Sequence, residues 1–261
     1  NAKGEITGNI GKLNAERLIN DDGKLTSIDK IEGEIKEISN IRGEILGEES
    51  IKIIGEKLNN FSGVLRSGKN IETELKELNN REGYILKDGI TKEEAQKWAV
   101  QKIAEKSEKS EKSEEKPSSE EVKQQDGEKD RKYASAGPNA IRKVEPSISA
   151  ERLDNTRGII ASLTGTYIKT SDISNSDGKV VSRNEVVLDM PSDYTYEGLV
   201  AGDASTVISA GTVTVNGKMD RSDALTLIGK HGVNLKDDIT ARVLTLDTGS
   251  SVLNRRRERD A

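Results

Sequence analysis

LNNFSGVLRSGKNIETELKELNNREGYI, residues 58–85, holds the pattern that decides the fold. Asn60 and Asn80 lie twenty residues apart, and so do Gly63 and Gly83. Each pair sits in one frame: an apolar residue, any residue, Asn, any two, Gly, any one, an apolar residue. Working outward, the frame recurs as LINDDGKL (18–25) and ISNIRGEI (38–45), then after a longer interval as LDNTRGII (153–160) and ISNSDGKV (173–180). Asn20, Asn40, Asn60, Asn80, Asn155 and Asn175 therefore share one register, and Gly23, Gly43, Gly63, Gly83, Gly158 and Gly178 share another. A fixed period near twenty is the signature of a solenoid, in which each repeat buries its apolar face only by stacking on its neighbours.

Twenty residues are too few for the two helices of a tetratricopeptide or ankyrin repeat. They fit three short strands and three turns, with apolar positions alternating as in half-buried strands. Ile31, Ile51 and Ile71 fall in one column, Leu18, Ile38, Leu58 and Leu78 in a second, and Leu25, Ile45, Leu65 and Ile85 in a third. The expected fold is all-β: a right-handed parallel β-helix of about 20 residues per coil, with a helical and disordered insertion. Ten or so coils stacked at roughly 4.8 Å predict a length of about 50 Å. At the turns Asn offers an amide that both donates and accepts, tolerates the left-handed conformation, and forms a ladder when stacked. Gly three residues later suits a positive φ or a close approach between coils. The Asn/Gly pairs are thus read as a structural ladder.

Composition agrees with a thin rod. Of 261 residues, 32% are hydrophobic, 33% are charged and only seven are aromatic, which is sparse for a compact globule but enough for a narrow core. The net charge of -5 mixes both signs, so no nucleic-acid partner is expected. With no cysteine there is no disulfide framework and no thiolate metal site, and such a chain suits threading through a secretion pore. No apolar run is long enough for a transmembrane segment, and no signal peptide is visible. Asn1, Gly4 and Ile6 already match the frame at a spacing of nineteen, so the expectation is a piece of a longer protein.

The organisation reads as repeats over 1–87, an insertion over 88–149, repeats over 150–182, an irregular bridge over 183–197, further coils over 198–254 and a basic tail over 255–261. From Asn80 to Asn155 is 75 residues, so one coil is extended by roughly 55. Thr91-Lys92-Glu93-Glu94 forms a capping box that opens a helix, and Ala95, Trp98, Ala99 and Ile103 give it an apolar stripe. This stripe packs on the outside of the solenoid or, on the sharper reading, Trp98 serves as a partner contact. The run 106–132 is nearly devoid of apolar groups and is expected to be a disordered loop held at both ends. Residues 183–197 are expected to form a strand, a turn at Pro191 and a short bridge.

The frame resembles the repeats of filamentous haemagglutinin and its relatives, the large exoproteins of two-partner secretion systems. Residues 58–85 carry it best, and GLVAGDASTVISAGTVTVNG (198–217) shares the family style through its Ala-Gly turns and alternating Val and Ile. The resemblance covers 1–86 and 153–182 well, and 198–254 loosely through Leu225-Thr226-Leu227 recurring as Leu244-Thr245-Leu246. It implies a secreted protein of the bacterial cell surface, among adhesins, haemolysins and contact-dependent growth-inhibition toxins. It implies a stalk in place of a catalyst, an outer-membrane transporter as partner during secretion, and a host or neighbouring-cell receptor or glycan as the ligand of a directly binding segment.

Catalytic motifs are sparse. His231, the only histidine, lies in GKHGV and reads as a solvated turn residue without a nucleophile elbow or a second histidine for zinc. Asp21, Asp22 and Asp177 are scattered in turns, whereas a β-helical polysaccharide enzyme clusters its acids on one sheet. Thr212 to Asp223, with Asn216, Gly217, Lys218, Met219 and Asp220, resembles a calcium loop, but threonines stand at two ligand positions. No enzyme activity, cofactor or metal is expected.

Overall fold

The computed structural model describes residues 1–101, 147–249 and 252–254. The low-complexity run 106–132 and the basic tail lie outside the described residues.

The coil that begins at Asn20 shows how twenty residues close one turn of the solenoid. The chain turns at residues 20–23, runs through the strand Lys24–Ser27, turns again at 28–29, and continues in the strand Lys30–Ser39. Every described coil stacks on the last in parallel. The strands after the Asn/Gly turn, three or four residues each, build an 8-stranded sheet that ends at Leu199–Gly202, and the strands of the other two faces build a 14-stranded sheet. Together they form a parallel β-solenoid of about ten turns.

Registers follow the twenty-residue period. Leu25 pairs with Ile45 and Ile45 with Leu65, Ile31 with Ile51 and Ile51 with Ile71, and Leu58 with Leu78. All these side chains are buried in one continuous core. Each fully buried Ile or Leu contributes about 1.5–3 kcal/mol relative to exposure, so stacking identical columns accumulates stability coil by coil.

The expected three strands and three turns need one correction. Along Lys30–Ser39 the buried positions Ile31, Gly33 and Ile35 alternate, then Lys36 and Glu37 both face solvent, and Ile38 is buried again. Two consecutive outward residues swing the strand round a corner, so this coil has three faces but only two turns, as does the one with Asn70–Asn79, whereas the coil 40–59 keeps three separate strands. The backbone keeps its partners through the bend: Glu56 N donates to Lys36 O at 2.9 Å and Lys76 N to Glu56 O at 3.0 Å. A strand turns here without an expensive loop because no backbone group is orphaned.

Departures from the frame are local. The chain leaves the solenoid after Tyr84–Leu86 and returns in Ile148–Asp154, which pairs with the strand Asn70–Asn79 on one side and Thr166–Ser174 on the other. Residues 183–197 hold the expected strand, Glu185–Asp189, a bend at Pro191 and the short strand Tyr194–Thr195. Glu185–Asp189 pairs in register with Thr166–Lys169 and with Ser205–Ser209, because Val186 and Leu188 keep the core columns although the Asn/Gly frame has stopped. Only residues 190–197, with Pro191, leave the pattern, and even there Tyr194–Thr195 pairs with Val213–Thr214. Further on, the strand Ser205–Val215 meets Ala224–Leu235 through a bulge between Ala210 and Thr212.

Leu65 is fully buried in the middle of its column, whereas Ile28 is 62% exposed at a turn. Leu65→Ala should cost about 2–5 kcal/mol, and Ile28→Ala about 0.5 kcal/mol or less, read as shifts of the urea midpoint.

Candidate functional site

The feature shared by every regular coil is the turn at the Asn/Gly frame. Within it the Gly amide donates to the Asn carbonyl, at 3.0 Å for Gly23 to Asn20 and for Gly63 to Asn60. The Asn side chain points inward and is fully buried at Asn20, Asn40, Asn60, Asn80, Asn155 and Asn175. Nδ2 of each donates to Oδ1 of the next. The distances are 2.8 Å from Asn20 to Asn40, Asn40 to Asn60 and Asn60 to Asn80, and 2.7 Å from Asn80 to Asn155 and Asn155 to Asn175. The same nitrogen reaches the carbonyl four residues beyond the next Asn: Glu44 O, Val64 O and Tyr84 O lie at 2.9, 3.1 and 3.0 Å. Both amide hydrogens are thus used, as burial requires. Asn1 joins the foot of the column, donating to Asn20 Oδ1 at 2.8 Å.

Neither Asn nor the frame Gly carries the left-handed conformation. It falls on the residue between them: Asp22, Arg42, Ser62, Glu82, Arg157 and Asp177 all have φ between 53° and 55°. These residues are held there by bonds from coil to coil, such as Ser62 N to Arg81 O at 3.0 Å and Asp22 N to Ile41 O at 2.9 Å. Gly is required for space. A Cβ on Gly43 would stand 2.1 Å from Asn20 O and 2.5 Å from Asn40 Oδ1, and one on Gly158 or Gly178 would stand 2.2 Å from the equivalent carbonyl. Of the two roles open to the glycine, close approach is the one the structure uses.

The upper end of the column is closed by a residue that the repeat pattern does not mark. Glu197 Oε1 accepts from Asn175 N at 2.8 Å, and Glu197 O accepts from Asn175 Nδ2 at 3.1 Å. Gly198, at φ 64°, passes over Asn175 in place of a frame glycine. No periodicity could point to Glu197: its main-chain carbonyl takes the place of the missing rung, and its carboxylate takes the place of the strand carbonyl that receives the Asn amide in the other coils.

The turn acids are engaged between coils. Asp21 Oδ1 accepts from Ser39 Oγ at 2.6 Å and Ile41 N at 3.0 Å. Asp22 pairs with Arg42 at 2.7 Å, and that bond holds its carboxyl below the usual aspartate range. These groups do not converge on one point with Asp177.

The insertion begins with an anchored segment. Asp88, at φ 63°, accepts from Leu163 N at 2.8 Å and Thr164 N at 2.9 Å. Thr91 and Glu94 form the capping box reciprocally: Thr91 N donates to Glu94 Oε2 at 2.8 Å, and Glu94 N to Thr91 Oγ1 at 3.2 Å. The helix over residues 92–101 lays Ala95, Trp98 and Ala99 on the outer side of the 8-stranded sheet, against Leu86, Ile159, Ala161 and Val181. Arg66 ties the approach by donating to Ile90 O at 3.1 Å, and the Arg183 guanidinium lies 4.6 Å from the Trp98 ring centre. Trp98 is 5% exposed. Its ring is spent on the sheet, which corrects its reading as a contact for an outside partner. Ile103 of the stripe lies outside the described residues.

One buried polar cluster has no counterpart in the repeats. Arg221 stands twenty residues after Ala201, past the last strand of the 8-stranded sheet. It grips Asp223 through two 2.7 Å bonds, donates to Thr206 Oγ1 at 2.7 Å, and reaches Val200 O at 2.8 Å. Burial works against its charge, but the bonds to Asp223 and Tyr196 outweigh this and hold its pKa above the ordinary arginine value. The guanidinium satisfies a carbonyl of the terminal strand and so takes the place of a further strand.

Asp223 is therefore committed to an ion pair, and Thr212 and Thr214 belong to a strand. Among the described residues no group of three or more His, Cys, Asp or Glu could hold a metal ion. His231 is not in a turn: it is exposed at the corner of the strand Ala224–Leu235, beside the equally exposed Lys230. Among the described residues no helix is long and apolar enough to cross a membrane.

Replacing Asn60 by Ala orphans a donor on Asn40 and an acceptor on Asn80. At about 1–3 kcal/mol per orphaned buried group, roughly 2–6 kcal/mol of stability should be lost, against less than half of that for Asn1→Ala at the foot of the column; chemical denaturation reads both. Trp98, the single tryptophan, should emit at short wavelength and resist acrylamide quenching in the native chain, and red-shift on unfolding. Native emission like that of free indole would contradict the packed helix. Comparison with protein-family models, with curated proteins and with solved structures gave no match to this chain.

Proposed function

We propose that this chain is a stalk segment of a large secreted bacterial surface exoprotein of the two-partner secretion kind, projecting an adhesive or toxic domain from the cell. The observation that supports this most is the amide column, which crosses the 75-residue interval between Asn80 and Asn155 without losing a rung. Parallel coils bonded along one axis resist bending, because every displacement breaks buried polar contacts as well as apolar ones. A cysteine-free chain also suits passage through an outer-membrane transporter.

Direct contact of this segment with a receptor or glycan is the second reading, and the site for it would be the insertion. A β-helical polysaccharide enzyme is less favoured, since Asp21 and Asp22 are consumed in bonds between coils.

The test uses the labelled chain and a version in which residues 88–149 are replaced by the seven residues 68–74 that close the preceding coil. Flow cytometry on epithelial and bacterial cells should show no saturable binding by either, if the segment is a passive stalk. Saturable binding that disappears with the replacement would defeat that reading and favour direct contact.

A further inference from the structure

Thr212 to Asp223 gathers no metal ligands, but it holds the only Asn-Gly pair of the chain, Asn216–Gly217. The pair forms the turn between the strands Ser205–Val215 and Met219–Asp220, where Asn216, Gly217 and Lys218 are all exposed. Bonds between coils flank this turn without entering it: Lys236 N donates to Val215 O at 2.9 Å, and Met219 N to Asp238 O at 2.9 Å. Among the described residues, Gly217 N donates no hydrogen bond and the Asn216 side chain makes none. A Cβ on Gly217 would meet nothing within 4 Å.

Asparagine is one of the thermolabile residues, and most so before glycine. The next residue's backbone nitrogen attacks the side-chain carbon, and a glycine there neither crowds the approach nor resists the backbone rotation that closes the ring. Elsewhere the fold withholds a reactant. The six ladder asparagines are fully buried, and none is followed by glycine. Three described Asp-Gly pairs, 22–23, 88–89 and 177–178, could close the same ring with loss of water. In each the glycine nitrogen is committed: Gly23 N to Asn20 O at 3.0 Å, Gly89 N to Ser67 O at 2.9 Å and Gly178 N to Asn175 O at 2.9 Å. In the next coil the equivalent turn is closed locally, because Asp237 Oδ1 accepts from Asp238 N at 2.9 Å. Among the described Asn-Gly and Asp-Gly pairs, only 216–217 leaves both reacting groups to solvent.

We propose that Asn216 is a site of spontaneous deamidation in the folded chain. Gly217 N loses its proton to water, attacks Asn216 Cγ and displaces Nδ2 as ammonia, which leaves a succinimide. Water then opens the ring. Breaking the bond from Gly217 N to Cγ gives aspartate. Breaking the bond from Gly217 N to the main-chain carbonyl carbon gives isoaspartate, with the backbone running through Cβ and Cγ. In sum, asparagine and water become aspartate or isoaspartate and ammonia, with no oxidant and no cofactor. Val215 pairs with Leu235 and Met219 with Ile239, which sets Lys236 beside position 216. The new carboxylate therefore arises next to a cation. Residues 216–218 carry none of the flanking bonds, so the longer backbone of isoaspartate is taken up outside the ladder. The solenoid thereby gains one negative charge beyond its formal -5.

The test incubates the full native chain at mildly alkaline pH, beside the same chain in guanidinium chloride, and maps both by peptide mass spectrometry. The native chain should gain one mass unit in the peptide that holds Asn216, with isoaspartate in excess over aspartate, at a rate within several-fold of the denatured chain. The pairs 22–23, 88–89 and 177–178 should yield isoaspartate only in the denatured chain. Gly217→Ala fits the open turn, so it should slow the native reaction several-fold or more without loss of stability. Asn216 intact in the native chain, isoaspartate arising first in the Asn/Gly frame, or a rate unchanged by Gly217→Ala would each overturn the proposal.

Discussion

A buried carboxamide has to be satisfied on both its nitrogen and its oxygen, and in this molecule another carboxamide one coil away meets that need. Everything regular about the fold is compatible with that single demand. The column holds Asn1, Asn20, Asn40, Asn60, Asn80, Asn155 and Asn175 in line. It sets the axial register, because a shift of even one residue would take each buried amide away from the Asn that satisfies it. It brings the backbone of one turn so close to the next that only hydrogen fits at Gly43 and its equivalents. It also displaces the left-handed conformation onto the residue before the glycine, where bonds between turns offset the strain.

The same demand explains how the pattern stops. A ladder cannot end on an unpaired rung in a dry core, and Glu197 supplies the last partners from a different part of the coil. A sheet cannot end on buried bare carbonyls, and Arg221 reaches Val200 while Asp223 balances its charge. A buried ion pair is a poor source of stability in itself, since desolvation offsets much of its attraction. Its contribution here is to close an edge that the repeat no longer covers.

On the outside, two solutions coexist. Where the 8-stranded sheet presents Val64, Tyr84, Ile159 and Val181, the helix with Trp98 lies over it. Where the coils present lysine and glutamate, columns of opposite sign face each other from rung to rung. The apolar interior is the same in each coil, so discrimination between coils falls to the surface, where single interactions are weak and only their number gives them effect.

Much of this was legible as spacing. The period, the three core columns, the Asn and Gly registers and the capping box at Thr91 all follow from positions along the chain, because each depends on neighbours a fixed distance away. The corner at Lys36 and Glu37 is written in the sequence too, as two consecutive charged residues between apolar ones, but a strand that bends without losing its ladder looks locally like a break. In residues 183–197 the strand and the turn at Pro191 were legible, but not that Val186 and Leu188 still serve the core after the Asn/Gly frame has lapsed. By itself, then, the sequence determined the repeat, its pitch and which side chains face inward. Only the tertiary structure decided that Gly serves close approach instead of a positive φ, that Trp98 is spent on the sheet, and that Glu197 and Arg221 close the ladder and the sheet. The roles of Trp98, Glu197 and Arg221 rest on contacts between residues with no fixed interval between them, which no periodicity can carry, and the glycine's role rests on how closely two backbones approach, which spacing alone does not give.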